Sequence, residues 1–336
     1  MLSKTPEAVM DVRGLTKYFP AGGSGRFWGP KRWIHAVEDV SFTLRRGHIL
    51  GLVGESGSGK STIARLIARL YPATAGTVEF GGRDILKLQA RPDLLGYRSK
   101  LQMVFQDPFG SLNPTQTVGH HIERPLLIHG RATGPREARE RVHQLLQTVG
   151  LTPPQEVARK LPHQLSGGQR QRVSFARALA VQPEVVLADE PISMLDVSIR
   201  MGILNLMARL RDEEGLSYLY VTHDLASARY LADEVMVLYA GQVMEQAPSE
   251  ALMSEPLHPY TQLLLSAVPD PKTRGTTRHV EARGEIPVVV DPKPGCRFAN
   301  RCPFVMDICR STSPVLAEVK PRHLVRCHLH TAGQVS

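Results

Sequence analysis

Residues 54–62, Gly54-Glu55-Ser56-Gly57-Ser58-Gly59-Lys60-Ser61-Thr62, follow a short apolar run at 49–53 and have the G-x-x-x-x-G-K-[ST] spacing of a phosphate-binding loop. The glycines let main-chain N–H groups turn inward around a polyphosphate with no Cβ in the way. Lys60 supplies a cation for the β- and γ-phosphates, and the Ser61 hydroxyl supplies a ligand for Mg²⁺. A helix opening at Ser61 points its positive end at the same anions. A second apolar run, 185–188, ends in Asp189-Glu190. Asp189 suits a Mg²⁺ shell, and Glu190 is placed to orient and deprotonate an attacking water. His223 ends a further apolar stretch, where it could touch a γ-phosphate. Leu165-Ser166-Gly167-Gly168-Gln169 opens a helix and offers a hydroxyl and glycine N–H groups to a phosphate. One anion site does not need both glycine-bearing loops.

The elements that must carry these residues are legible in outline. Residues 8–19 and 35–44 alternate as strands, with a Gly/Pro-rich loop (20–33) between them, and 77–85 reads as a short hairpin. The phosphate loop lies between a strand at 49–53 and a helix from Ser61 to about Leu70. From 107 to about 182 strand patterns vanish. There 134–150 is an amphipathic helix with Ala138, Val142, Leu145, Leu146 and Val149 on one face, and 166–183 is a second helix closed by Pro183. The strand 185–188 is continuously apolar, as a central parallel strand requires. Then follow a helix (197–215), a strand (217–224), a helix (225–233), two strands (234–246) and a short helix (258–269). Strand–helix alternation implies a mainly parallel α/β sheet with ligands at the C-terminal ends of its strands. An antiparallel β layer precedes this sheet and a helical insertion interrupts it. The expected division is a nucleotide-binding domain over 8–256 and a small, irregular, Pro- and Arg-rich tail over 257–336.

The chain has 336 residues and a net charge of +9. Residues 266–336 hold eleven Lys/Arg against six Asp/Glu. No aromatics interleave with that charge as a single-strand platform requires, so no nucleic-acid partner is expected. The first residues, MLSKTPEAVMDVRG, carry charges and no apolar leader core, and no apolar run approaches the ~20 residues of a bilayer span. A cytoplasmic protein able to sit on a membrane partner is the expectation. All four cysteines, Cys296, Cys302, Cys309 and Cys327, lie in the tail. In a cytosolic chain such clustering suggests metal or cluster ligation before disulfides.

Together the phosphate loop, LSGGQ, Asp189-Glu190 and His223 resemble the ATP-binding cassette (ABC) ATPases over about residues 8–250. The resemblance implies a P-loop NTPase (RecA-like) core, with LSGGQ as the family signature that completes the ATP site of a second subunit in a head-to-tail dimer. It implies that Ser166, Gly167, Gly168, Gln169 and Asp196 reach ATP from the opposite subunit. Gln106 matches the glutamine that contacts Mg²⁺ and senses the membrane partner. Phe19, with Tyr18 beside it, matches the aromatic that stacks on adenine. Ser193-Met194-Leu195-Asp196 matches the D-loop, with Met194 where Ala is more usual.

Four segments also resemble the ATPase subunits of dipeptide and oligopeptide importers, whose relatives serve nickel and oligosaccharides. They are GRFWGPKRWIHAVEDVSF (25–42), VFQDPFGSLNP (104–114), HPYTQLLLSAVP (258–269) and GEIPVVVDPKPGCRFANRCPFVMDIC (284–309). This resemblance implies a second ATPase subunit, identical or paralogous, two transmembrane permease subunits and an extracytoplasmic solute-binding protein. It places the chain peripherally on the cytoplasmic side of the inner membrane. It also suggests a 4Fe–4S cluster on the four cysteines. Their spacing, C-x5-C-x6-C-x17-C, leaves zinc or reduced thiols open, although zinc sites favour tighter pairs. Arg297, Arg301, Arg310 and Arg326 would offset the charge of an anionic cluster.

Overall fold

The computed structural model describes residues 7–21, 31–108, 110–266 and 287–331. Strand β1 (Ala8–Pro20) buries Val9, Met10, Val12 and Leu15, and β2 (Trp33–Arg45) buries the alternate residues Val40, Phe42 and Leu44. Five fully buried residues form β3 (Ile49–Val53), followed by α1 (Lys60–Ile67), β4 (Ala75–Phe80) and β5 (Arg83–Asp84). Helix α1 stops short of the expected Leu70 because Arg69 takes a left-handed conformation, φ 57°. Then come α2 (Arg91–Lys100) and β6 (Leu101–Val104), neither of which the sequence patterns announced. Helices α3 (Val118–Ile128), α4 (Pro135–Thr148), α5 (Pro154–Arg159) and α6 (Gly167–Leu179) occupy the expected insertion. The alternation resumes with β7 (Val185–Asp189), α7 (Val197–Glu214), β8 (Ser217–Thr222), α8 (Leu225–Leu231), β9 (Glu234–Tyr239) and β10 (Gln242–Pro248). Helices α9 (Ser249–Ser254) and α10 (Pro259–Ser266) lead to the tail. The tail carries α11 (Asp307–Ser311), β11 (Ala317–Lys320), β12 (His323–Val325) and α12 (His328–Thr331).

The chain divides into two compact units. The first comprises 1–9, 44–48 and 87–221 and holds a parallel layer, β8-β7-β6. The four helices α3–α6 are its insertion. The second unit comprises 10–43, 49–86 and 222–336. It contains the sheet β2-β1-β4-β5, antiparallel at β1–β4 and β4–β5, and a run ordered β11-β12-β10-β9-β3. In that run β3 and β9 are parallel and the remaining pairs are antiparallel.

The described part of the tail, 287–331, carries four short elements joined by turns and loops. It belongs to the same unit as the phosphate loop, and β12 adds to the edge of β10, pairing Glu245 with Val325. The anchor is polar. Glu245 is fully buried, and its carboxylate accepts from the N–H groups of Leu257 and His258 and lies 2.6 Å from His323 Nε2. Every acceptor position on a buried carboxylate that finds a donor reduces the cost of its burial.

His258, buried at the head of α10, accepts from the Tyr260 N–H at Nδ1. Burial pushes its pKa down to about 3, helped by the nearby His330. The unfolded chain therefore binds a proton near pH 6.5 that the folded chain refuses. Stability is full above that pH and declines as pH falls toward 3, by about 1.4 kcal/mol per pH unit. Denaturant titrations at pH 7.5, 6 and 5 are expected to show this slope in wild type. His258→Asn keeps an acceptor in place of Nδ1 and should remove one proton's worth of it.

Candidate nucleotide site

In the second unit β3 delivers the chain into the phosphate loop. Two glycines there are dictated by space. A Cβ on Gly54 would lie 2.2 Å from the Leu238 carbonyl oxygen, and one on Gly59 would lie 2.4 Å from that of Ala36. Gly59 also has φ 105°, and it caps α1 without a side chain. The turn between β9 and β10 supports the loop from below, the Gly241 N–H donating to the Ser58 carbonyl at 2.8 Å. Lys60 is only 4% exposed. Its ammonium donates to the carbonyls of Gly54 (2.7 Å) and Glu55 (2.8 Å) and lies 3.4 Å from Ser58 Oγ. A charge so placed inside the loop is pre-positioned for anionic oxygens, because it is already desolvated and held. Ser56 and Gly57 are exposed at the rim, Ser61 and Thr62 half-buried behind them.

Tyr18 and Phe19 end β1 in the same unit. Tyr18 stacks on His35 with centroids 3.8 Å apart, whereas Phe19 meets the edge of Tyr71 at 5.7 Å and lies under the Lys17 ammonium. His223 is exposed just beyond β8. Its neighbour Asp224 accepts from the Ala226 N–H and caps α8, which holds the tip in place.

In the first unit the strand register explains a contact between two candidate residues. Val104 of β6 pairs with Ala188 of β7, so Gln106 and Glu190 each lie two residues past a matched pair. Gln106 Nε2 donates to Glu190 Oε2 at 3.2 Å. Asp189 is 2% exposed at the last position of β7. Glu190 is half-buried and takes a left-handed conformation, φ 45°, that L-residues other than Asn and Asp adopt rarely. Its carbonyl accepts from the N–H and hydroxyl of Ser193, so the strained residue is tied on its C-terminal side.

Ser166 caps α6. Its Oγ accepts from the Gln169 N–H at 3.3 Å, and Gln169 Oε1 accepts from the Ser166 N–H at 3.0 Å. The signature glutamine thus closes a reciprocal capping box. The second signature glycine is also a packing requirement, since a Cβ on Gly168 would meet Ile199 Cγ2 of α7 at 2.4 Å. Asp196 begins α7, its carbonyl accepting from the N–H groups of Ile199 and Arg200. Met194 is 54% exposed, with Val197 and Met201 exposed on the helix that follows. Arg177 of α6 donates to the Ser111 carbonyl at 2.6 Å, tying the signature helix to the segment that follows Gln106. Burial lowers its pKa. No sequence motif had singled out Arg177.

The four cysteines are all free. Burial raises the pKa of Cys296, Cys302 and Cys327, the last to about 11. The thiols lie near enough to raise one another's pKa, and main-chain N–H groups of Phe298, Ala299, Phe304 and Leu329 stabilise their thiolate forms. Among the described residues, no group of three or more His, Cys, Asp or Glu is arranged to hold a metal ion. Three of the four arginines expected to balance a cluster have other acceptors. Arg297 binds Glu38 and the Ala240 carbonyl, Arg301 binds Glu55, and Arg326 binds the carbonyls of Val243 and Pro314.

The comparisons with known proteins agree with this geometry. Residues 37–193 match the ABC transporter family, and residues 244–309 match the C-terminal region of oligopeptide/dipeptide transporters. The chain is 44% identical to the oligopeptide transport ATP-binding protein AppF of Bacillus subtilis, over 98% of this chain and all of that one. It is 47% identical to a putative peptide import ATP-binding protein of Brucella abortus, over 96% and 95% of the two chains. The dimeric post-hydrolysis structure of the ATP-binding cassette MJ0796, bound to ADP and Pi, is similar with a TM-score of 0.63 at 32% identity. That match covers 71% of this chain and 98% of that one. The chain belongs to the ABC transporter ATP-binding family. It has the P-loop NTPase fold of that family and is an ATPase.

Proposed function

We propose that this chain is the ATP-hydrolysing subunit of an importer for dipeptides or oligopeptides. The observation that carries the reading is the joining, in one chain, of an ABC cassette to a region matching the C-terminal region of oligopeptide/dipeptide transporters. Phe19, or Tyr18 beside it, stacks on adenine. The main chain of residues 54–59 and the Lys60 ammonium hold the phosphates, with Ser61 and Thr62 behind them. Ser61, Asp189 and Gln106 supply the oxygen donors that a hard divalent cation prefers, and Mg²⁺ when bound there neutralises phosphate charge. Glu190 takes a proton from the attacking water while the water oxygen forms a bond to the γ-phosphorus. The bond from that phosphorus to the bridging oxygen breaks, and ADP leaves with the electron pair. His223 donates a hydrogen bond to the γ-phosphate.

Ser166, Gly167, Gly168, Gln169 and Asp196 close the site of a second ATPase subunit, identical or paralogous. Closure moves two transmembrane permease subunits, which a solute-binding protein feeds from outside, and it reaches them through Gln106 and the helical insertion. No helix among the described residues is long and apolar enough to cross a membrane. Peripheral attachment through the permease fits that observation. Isolation of the native chain from membranes under mild detergent tests the assembly. Recovery with two permease subunits and a second ATPase subunit is expected, and recovery from cytosol with no membrane partner would refute the reading.

For the tail, four free cysteines supply the donor type that thiolate ligation uses, and the Cys296 N–H donating to the Cys309 carbonyl at 2.7 Å brings two of them together. We infer a 4Fe–4S cluster there, with zinc as the alternative. Anaerobically purified protein should contain iron and acid-labile sulfide in equal amounts. A colourless protein free of both metals would leave the cysteines as plain thiols.

A further inference from the structure

The second residue of the phosphate loop is held from outside the loop, by the tail. Both Glu55 carboxylate oxygens accept from Arg301, Oε2 from Nη1 and Oε1 from Nη2, each at 3.0 Å. This is the two-pronged geometry of a strong guanidinium–carboxylate pair. The Glu55 N–H donates to the Tyr260 hydroxyl at 3.0 Å. Its carbonyl accepts from Lys60, as described above. One loop residue is therefore fixed at its side chain, its N–H and its C=O, and two of the three partners come from residues beyond 256.

Those partners are themselves buried and in contact with further rings. The Arg301 side chain is only 6% exposed, and its guanidinium lies 5.6 Å from the centroid of the Tyr239 ring. Tyr239, Tyr260 and Phe298 form a buried ring cluster with centroids 4.8–5.4 Å apart. Phe298 and Arg301 lie in the same short segment as Cys296 and Cys302.

The pairing also has an electrostatic consequence. Glu55 places a carboxylate inside a loop whose task is to attract a polyanion. Left unpaired, its charge would oppose the phosphates the loop must attract.

We infer that Arg301 is a positioning residue for nucleotide binding. It neutralises Glu55 and holds the loop in its receptive form, so the C-terminal segment sets the ATP affinity of the cassette in the same chain. The inference rests on the loop holding a nucleotide and is independent of the solute transported. By reciprocity, ATP binding must stabilise the docked tail to the same extent.

The test measures ATP dissociation constants and thermal midpoints on the full-length protein for wild type, Arg301→Gln, Arg301→Lys, Glu55→Gln and the double variant Glu55→Gln/Arg301→Gln. Arg301→Gln is expected to weaken ATP by about tenfold or more. Arg301→Lys, which keeps the charge but loses the fork, should fall between wild type and Arg301→Gln. Adding Glu55→Gln to Arg301→Gln should recover much of the loss, because the repelling carboxylate is gone. A purely structural role for Arg301 predicts the opposite pattern: a lower thermal midpoint, unchanged ATP affinity in every folded variant, and no recovery in the double variant. That pattern would overturn the inference. Should Arg301→Gln fail to fold, Arg301→Lys against wild type decides, equal affinities overturning the link. A wild-type protein unable to bind ATP would overturn the nucleotide site and this coupling with it.

Discussion

Glu190→Gln is expected to leave ATP binding at the wild-type level and to cut steady-state hydrolysis by about 10²–10⁴-fold, the range a positioned general base contributes. The substitution removes the carboxylate proposed above to take the proton of the attacking water while keeping its shape. Gln at this position retains an amide oxygen for the hydrogen bond from Gln106. The left-handed backbone at Glu190 and its ties to Ser193 do not depend on the side-chain charge. ATP should therefore accumulate on the variant unhydrolysed and trap two ATPase subunits together. Single-turnover hydrolysis combined with sizing in the presence of ATP reads both effects. Hydrolysis near the wild-type rate would remove Glu190 from the role of base and direct attention to His223 or to a water held by Gln106.

Lys60→Ala acts at the other end of the reaction coordinate. Lys60 is buried, its ammonium held by the carbonyls of Gly54 and Glu55. Removal of one partner of a desolvated charge pair costs about 2–5 kcal/mol, or at least about 30-fold in affinity. The damage exceeds a lost attraction. Without the ammonium, the two carbonyl oxygens remain in the loop with no cation between them and the incoming phosphates. ATP affinity should fall at least 30-fold, and hydrolysis should fall with it at every accessible ATP concentration. The two variants are thus separable: Glu190→Gln keeps affinity and loses turnover, whereas Lys60→Ala loses affinity. Equal ATP affinity for Lys60→Ala and wild type would mean that the loop amides alone carry the anion.

The elements around the chemistry were legible because each has a long or sharply bounded pattern. The apolar runs at 49–53 and 185–188 lie in strands buried along their whole length, and the 134–150 periodicity is a helix burying Ala138, Val142 and Leu146. Short elements were not legible. Strand β6 has four residues with Gln102 in the middle, and β12 has three, held by the buried Glu245–His323 contact. Tertiary partners of this kind leave no periodic trace in sequence. The same holds for three tail arginines whose anchoring the sequence did not reveal: Arg297 to Glu38, Arg301 to Glu55, Arg326 to the carbonyls of Val243 and Pro314.

At the site, residue types exposed the chemistry but not the supports. The Ser166-x-x-Gln169 spacing carries the signature of the capping box, but nothing in the spacing revealed that Gly168 makes room for Ile199 or that Tyr260 would accept from the N–H of Glu55. Each of these depends on a partner about 30 to 200 positions away or on local main-chain geometry. The Gln106–Glu190 contact was readable only once the register of β6 on β7 was known.

The central claim is that ATP held by this cassette and cleaved with the help of Glu190 powers inward movement of a peptide. Its most direct test is uptake of a labelled oligopeptide by proteoliposomes. These contain the co-isolated permease and ATPase subunits, with solute-binding protein and peptide on the side from which import begins and Mg·ATP on the cassette side. Accumulation is expected with the wild-type chain and ATP. It should be absent with Glu190→Gln, even though that complex still binds ATP. Accumulation at wild-type rate by the Glu190→Gln complex, or vigorous hydrolysis by the wild-type complex with no peptide moved, would contradict the claim.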